Sequence, residues 1–153
     1  MMENKRPYCM NCDEERDYEI REVEEVLTVK DSTFTVKILK AFCKVCGEQV
    51  FPYEVGKQND ILIFDEYRRR KGLLTSKQIK DIRKKRGMSQ TQLAEFINAG
   101  EKTIARYETG TIQDAIFDLL IRMVGDDSCY KAMKDLKTVI KNQQSSNVGS
   151  TSV

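Results

Sequence analysis

Four of the five cysteines in this 153-residue chain fall into two pairs of the same spacing, Cys9-Met10-Asn11-Cys12 and Cys43-Lys44-Val45-Cys46. A CxxC turn is tight enough to hold two thiolates about 4 Å apart, and two such turns complete a tetrahedral sulfur shell about 2.3 Å from a zinc ion. The expected ligands are therefore Cys9, Cys12, Cys43 and Cys46, and the expected cofactor is a structural Zn2+. Four thiolates close the shell and leave no position for a catalytic water. A disulfide framework and a dithiol redox role are the other readings of such pairs, but two of them in a chain without secretory features favour zinc. Cys129 stands apart in an apolar helical stripe and reads as a small buried hydrophobe.

The chain has no histidine, which removes the usual general base and Ser/His or Cys/His catalysis. No enzyme is expected. A dithiol oxidoreductase is the weakest reading, because neither CxxC has the strand-then-helix setting of thioredoxin-like sites.

A second constellation lies further on. Residues 1–56 carry 8 Lys/Arg against 12 Asp/Glu, whereas the remainder carries 18 against 12. Between Arg68 and Gly87 the only acidic residue is Asp81, against Arg68, Arg69, Arg70, Lys71, Lys77, Lys80, Arg83, Lys84, Lys85 and Arg86. Such a stretch suits a polyanion partner, and equally a solvated helical face. The residues after Gly87 favour duplex DNA. Gln90-Thr91-Gln92 opens a helix, where free N–H groups suit phosphate. After a Gly-containing turn comes a helix on which Ile104 and Tyr107 should face inward, with Glu101, Lys102, Ala105, Arg106 and Thr109 outward. Lys102 and Arg106 are four residues apart and project together, as readers of base edges must. The candidate DNA contacts are Ser89, Gln90, Thr91, Glu101, Lys102, Thr103 and Arg106.

These groups need elements to hold them. Tyr18–Lys30 and Phe34–Phe42 read as two strands, with Phe34, Val36 and Ile38 on one face, Thr35 and Lys37 on the other, and Asp31-Ser32 turning between them. The hairpin brings the CxxC pairs together across the 30 residues between Cys12 and Cys43. So small a domain has a thin core, which a metal crosslink reinforces. Residues 57–72 read as a connecting helix stopped by Gly72. Thr75/Gln78 and Ser89/Gln92 are capping-box pairs, each opening a helix. Asn98-Ala99-Gly100 is a turn, a third helix runs from about Glu101 to Thr109, and a fourth carries Ile116, Leu119, Leu120 and Met123. Asp127 or Ser128 caps a last helix with Cys129, Ala132, Met133, Leu136, Val139 and Ile140 on one stripe. Residues 144–153 have little to bury and should be disordered.

These residues carry two resemblances. Ser89-Gln90-Thr91-Gln92-Leu93-Ala94 and Ile104-Ala105-Arg106-Tyr107-Glu108-Thr109-Gly110 resemble the Xre/Cro-type helix-turn-helix over about residues 75–125. C-x2-C, a hairpin and C-x2-C-G in front of it resemble the zinc domain of the MqsA-type antitoxins, also called YgiT-type zinc-finger proteins. The resemblance implies a type II antitoxin that neutralises a partner toxin. As a homodimer through its C-terminal domain, it would repress its own operon at a palindromic operator. It also implies a buried ion pair between Arg83 and Glu108. The family reads bases with an Asn and an Arg, and Arg106 matches the Arg while Lys102 stands in the Asn position.

The expected fold is α+β: a four-cysteine zinc-bound β-hairpin domain over 1–56 that engages the partner, a linking helix over 57–72, and an all-α Xre-type helix-turn-helix domain over 73–143. A free-standing zinc-containing transcriptional regulator without a toxin is the alternative. No apolar run approaches the roughly 20 residues that span a bilayer. The opening Met1-Met2-Glu3-Asn4-Lys5 has no apolar core behind it, so no signal peptide, no membrane contact and a cytoplasmic location are expected.

Overall fold

The structure, a computed structural model, describes residues 5–148. Five strands precede six helices among the described residues: β1 (Tyr8–Cys9), β2 (Glu14–Glu15), β3 (Tyr18–Val29), β4 (Ser32–Cys43), β5 (Gln49–Val50), α1 (Tyr53–Lys71), α2 (Ser76–Lys85), α3 (Gln90–Phe96), α4 (Thr103–Glu108), α5 (Ala115–Gly125) and α6 (Asp127–Val148). The fold is α+β, as the sequence pattern requires. The chain divides into two compact units, one running up to Ser76 and including Arg106–Ile112, the other made of Lys77–Ala105 and the chain from Gln113 onward.

In the first unit, β3 and β4 pair antiparallel along their full length, from Tyr18↔Cys43 to Val29↔Ser32. The turn is Lys30-Asp31, one residue earlier than expected, and Lys30 takes the left-handed conformation at φ 52°. Strand side chains alternate between faces. Phe34, Val36 and Ile38 are buried with Tyr67 of α1, and Val23, Leu27 and Val29 of β3 pack against them. Nearer its end the same strand buries the opposite parity, Ala41 and Cys43, together with Cys9 and Val50. One hairpin therefore serves two small cores from its two faces.

Helix α1 starts at Tyr53, four residues before the expected link, directly after Pro52. Pro52 is the N-cap and makes no side-chain cap bond, so the usual start signal is absent. The helix ends as expected at Gly72, whose φ of 70° suits a residue without a Cβ. The connecting helix α1 lies on β4, within the first unit. The Asn59 carboxamide donates to the Leu39 carbonyl and accepts from the Leu39 N–H, both at 2.8 Å, as a neighbouring strand would. At the hairpin tip, Asp31 accepts from Lys71 Nζ at 2.6 Å and from the Tyr67 hydroxyl at 3.2 Å.

In the second unit the buried side chains include Ile79, Leu93, Ala94, Ile97, Ile104, Ile121 and Val124. Helix α2 begins directly after Thr75 and gives way at Gly87, φ 63°. The Ser89/Gln92 capping box forms in both directions, with Gln92 N–H donating to Ser89 Oγ at 3.1 Å and Ser89 N–H to Gln92 Oε1 at 2.8 Å. Residues 97–102, with Asn98 at φ 57°, separate α3 from α4, a longer turn than the expected Asn98-Ala99-Gly100, so α4 starts at Thr103 and not at about Glu101. The last helix is capped by Asp126, not by Asp127 or Ser128: its carboxylate accepts from the Cys129 N–H at 2.9 Å. Helix α6 runs on to Val148, so the expected disorder does not hold for residues 144–148, and residues 149–153 lie outside the described residues. On the expected stripe, Leu136, Val139 and Ile140 are exposed.

Candidate metal centre and nucleic-acid face

Each CxxC sits on its own turn. The first joins β1 to β2, which pair Tyr8↔Glu15 and Cys9↔Glu14, and Asp13 at φ 57° completes the reversal. The second follows β4 and is closed by three bonds: Cys43 N–H to the Glu48 carbonyl at 2.8 Å, Gly47 N–H to the Cys43 carbonyl at 2.9 Å, and Val45 N–H to Cys43 Sγ at 3.4 Å. The Arg16 N–H to Pro7 carbonyl bond, at 3.1 Å, closes the first turn, and the Lys44 N–H to Asp17 carbonyl bond, at 3.0 Å, ties the second turn to the chain just after the first.

The four sulfurs all lie within 4.8 Å of one another. Cys9 and Cys46 are 3.5 Å apart, and Cys12 and Cys43 3.9 Å. A tetrahedral shell with zinc–sulfur bonds of about 2.3 Å requires sulfur separations of about 3.8 Å. None of the four is in a disulfide. The residues fit zinc, with Cys9 and Cys43 buried and Cys12 and Cys46 partly so.

The protons of the cluster are unevenly held. Burial, then hydrogen bonding among the thiols, pushes Cys12 up to about 12. The backbone N–H at Glu48, then the Asn11 side chain, pulls Cys46 down to about 6. Like charges in so small a space titrate as a group, and one site ionises at the expense of its neighbour. Arg16 offsets the negative charge. Burial works against its guanidinium, but the hydrogen bond to Cys12 and the charges of Glu14, Cys12 and Cys43 outweigh this, so its pKa is raised. Its Nε is buried without a hydrogen-bond partner, as suits a cation placed against sulfur.

On the expected DNA face, Ile104 is fully buried and Tyr107 nearly so, while Glu101, Lys102 and Arg106 stand exposed. Arg106 pairs with no carboxylate among the described residues. Thr103 and Thr91 are half-exposed, Gln90 is half-buried beside the exposed cap Ser89, and Arg83 donates to the Met88 carbonyl at 3.0 Å. Glu108 closes α4.

The basic run is less uniform than its composition. Arg68 is fully buried and paired with Asp65, at 2.9 Å. Arg86 lies 4.3 Å over the Tyr130 ring and donates to the Val124 carbonyl and Asp127. Lys85 reaches the Gly125 carbonyl, Arg69 and Arg70 pair with Glu66, and Lys77 pairs with Asp81. Lys80 and Lys84 stand exposed. Nothing in the local sequence separates Arg68 from its neighbours, since its carbonyl partners lie 39 and 43 residues away.

A closed four-cysteine cluster fit for zinc, carried by small β-hairpins and followed by six helices among the described residues, defines a metal-binding α+β protein. Residues 5–126 match the family described as the antitoxin component of bacterial toxin–antitoxin systems, MqsA. The chain belongs to that antitoxin family. No curated protein matches it. Helix α6 lies beyond the matched residues. No helix among the described residues is long and apolar enough to cross a membrane.

Proposed function

We propose that the protein is a cytoplasmic antitoxin that neutralises a partner toxin and represses its own operon by sequence-specific binding of duplex DNA. The zinc unit engages the toxin and the helical region reads the DNA. The observation that carries the DNA reading is the division of α4: Ile104 and Tyr107 are buried while Arg106 is left exposed, as is Lys102 in the turn directly before the helix. Arg106 reads a base edge through its two-donor fork, and Lys102 reads a neighbouring base or touches phosphate. Ser89, Gln90 and Thr91 offer the capped start of α3 to the backbone, with Glu101 in the turn before α4 and Thr103 at its first position. Two copies on a two-fold axis place two such faces on a palindrome.

The test is binding of the full chain to the DNA upstream of its own gene and to a scrambled duplex of the same composition. Arg106→Ala should cost about 1–3 kcal/mol on the native site and lower the native-to-scrambled ratio, whereas Lys84→Ala should weaken both alike. Affinity should fall steeply with salt, because Lys and Arg release counterions. A ratio unchanged by Arg106→Ala refutes the assignment of α4 as the reading helix.

A further inference from the structure

Helix α4 has only six residues, too few to hold its own direction in water. Its last carbonyls also lack partners within the helix. The structure supplies both needs from α1. The Arg68 guanidinium donates to the Tyr107 carbonyl at 3.1 Å and to the Thr111 carbonyl, bracketing the helix end. A planar cation with donors in a fixed fork suits two carbonyls at the negative end of a helix. Arg68 is held in turn by Asp65, at 2.9 Å. Asp65 also accepts from the Ser76 N–H at 2.8 Å and the Ser76 hydroxyl at 2.6 Å, which fixes the first residue of α2. The Arg68 side chain is 0% exposed and that of Asp65 8%. Buried so completely, each charge is compensated by the other, and Asp65 also by its two bonds from Ser76.

We propose that the Asp65–Arg68 pair is a positioning element for base reading, setting the rotation of α4 and with it the direction of Arg106. Arg106 directly precedes Tyr107, whose carbonyl Arg68 holds. Turning α4 about its axis breaks that bond, so the bond fixes which way Arg106 points. This inference rests on the DNA reading given above and adds a residue that touches no DNA. It also shifts the N-terminal limit of a DNA-reading fragment: one beginning at residue 73 lacks the pair, and one beginning at Pro52 retains it.

The experiment measures the full zinc-loaded chain and its Arg68→Met variant on the same two duplexes. A positioning role lowers the native-to-scrambled ratio by about tenfold, the loss of one bidentate base contact, and leaves affinity for the scrambled duplex and zinc content unchanged. A merely structural role lowers the folded fraction and so weakens both duplexes equally. Adding Arg106→Ala to Arg68→Met should lower the ratio no further, because the contact is already lost. An unchanged ratio in Arg68→Met, or full additivity with Arg106→Ala, overturns the proposal while the DNA reading stands. If Arg68→Met does not fold, Arg68→Lys decides. It keeps the charge against Asp65 but cannot span both carbonyls, so it should lose part of the ratio; retention of the full ratio overturns the proposal. A wild-type chain with no preference for the native duplex removes the DNA reading, and the inference with it.

Discussion

At its Phe34 end, strand β4 lies against a helix; at its Cys43 end, it lies among cysteines. The first end buries Phe34, Val36, Ile38 and Tyr67, with five further apolar side chains packed around them. The second buries Cys9, Ala41, Cys43 and Val50, two of which are metal ligands. Large side chains and a 19-residue helix hold one end. The other has little besides two turns that meet in space. Metal coordination there takes the place of packing, so the two ends should fail under different challenges.

The largest contrast should come from Cys43→Ser. Structural zinc contributes on the order of 10–16 kcal/mol to small domains at neutral pH. The variant should lose its zinc and become open to proteolysis around residues 8–50, while α1 keeps its protection. Zinc retained in full by Cys43→Ser would mean that the two ends do not differ in kind.

Acid should reproduce that loss reversibly. The thiolate of Cys46, drawn down to about 6, is present above that value, and its contribution is lost as pH falls through it. Zinc must displace every thiol proton, so its affinity falls with pH. Above about 6 Cys46 adds no proton to those released on zinc uptake, and below it does. Calorimetry in buffers of different ionisation enthalpy measures this; proton release that stays constant across that pH would contradict the assignment.

At the packed end, Phe34→Ala removes a side chain that is 4% exposed and should cost about 3–5 kcal/mol of unfolding free energy with zinc stoichiometry unchanged. Zinc lost together with stability would show that the two ends unfold as one. Asn59→Ala should be smaller, about 1–3 kcal/mol, because it strands the Leu39 N–H and carbonyl in a part-buried setting. Hydrogen exchange at Leu39 should quicken, and an unaltered rate would discount the bond.

The sequence makes the local devices legible. The CxxC turns, the Ser89/Gln92 box, the Gly72 stop and the alternation of Phe34, Val36 and Ile38 each depend on residues close together in the chain, and each forms. The turn at Lys30-Asp31, the start of α1 and the cap of α6 fall one or a few residues from their expected places, because Pro52 gives no side-chain cap and Asp126, Asp127 and Ser128 are all competent cappers. Helix past residue 143 is unexpected in so polar a segment. The features hidden from the sequence depend on distant partners: the burial of Arg68, the reversal of the buried face along β4, and the engagement of Lys85 and Arg86, whose partners lie about 40 residues on.

Asn59 has one more effect, on what the sheet can become. An unpaired strand edge is a template for another strand, and the edges of small sheets invite pairing between identical chains. On the β4 side, β5 covers Ala41 and Phe42 and the Asn59 carboxamide occupies Leu39. The long remaining edge is that of β3, beside which no further strand lies among the described residues. Two copies meeting there antiparallel about Val23 would set Glu22 of each against Glu24 of the other, and like charges directly opposite disfavour pairing. The acidic character of this strand thus keeps the hairpin from growing into a stack of its own copies.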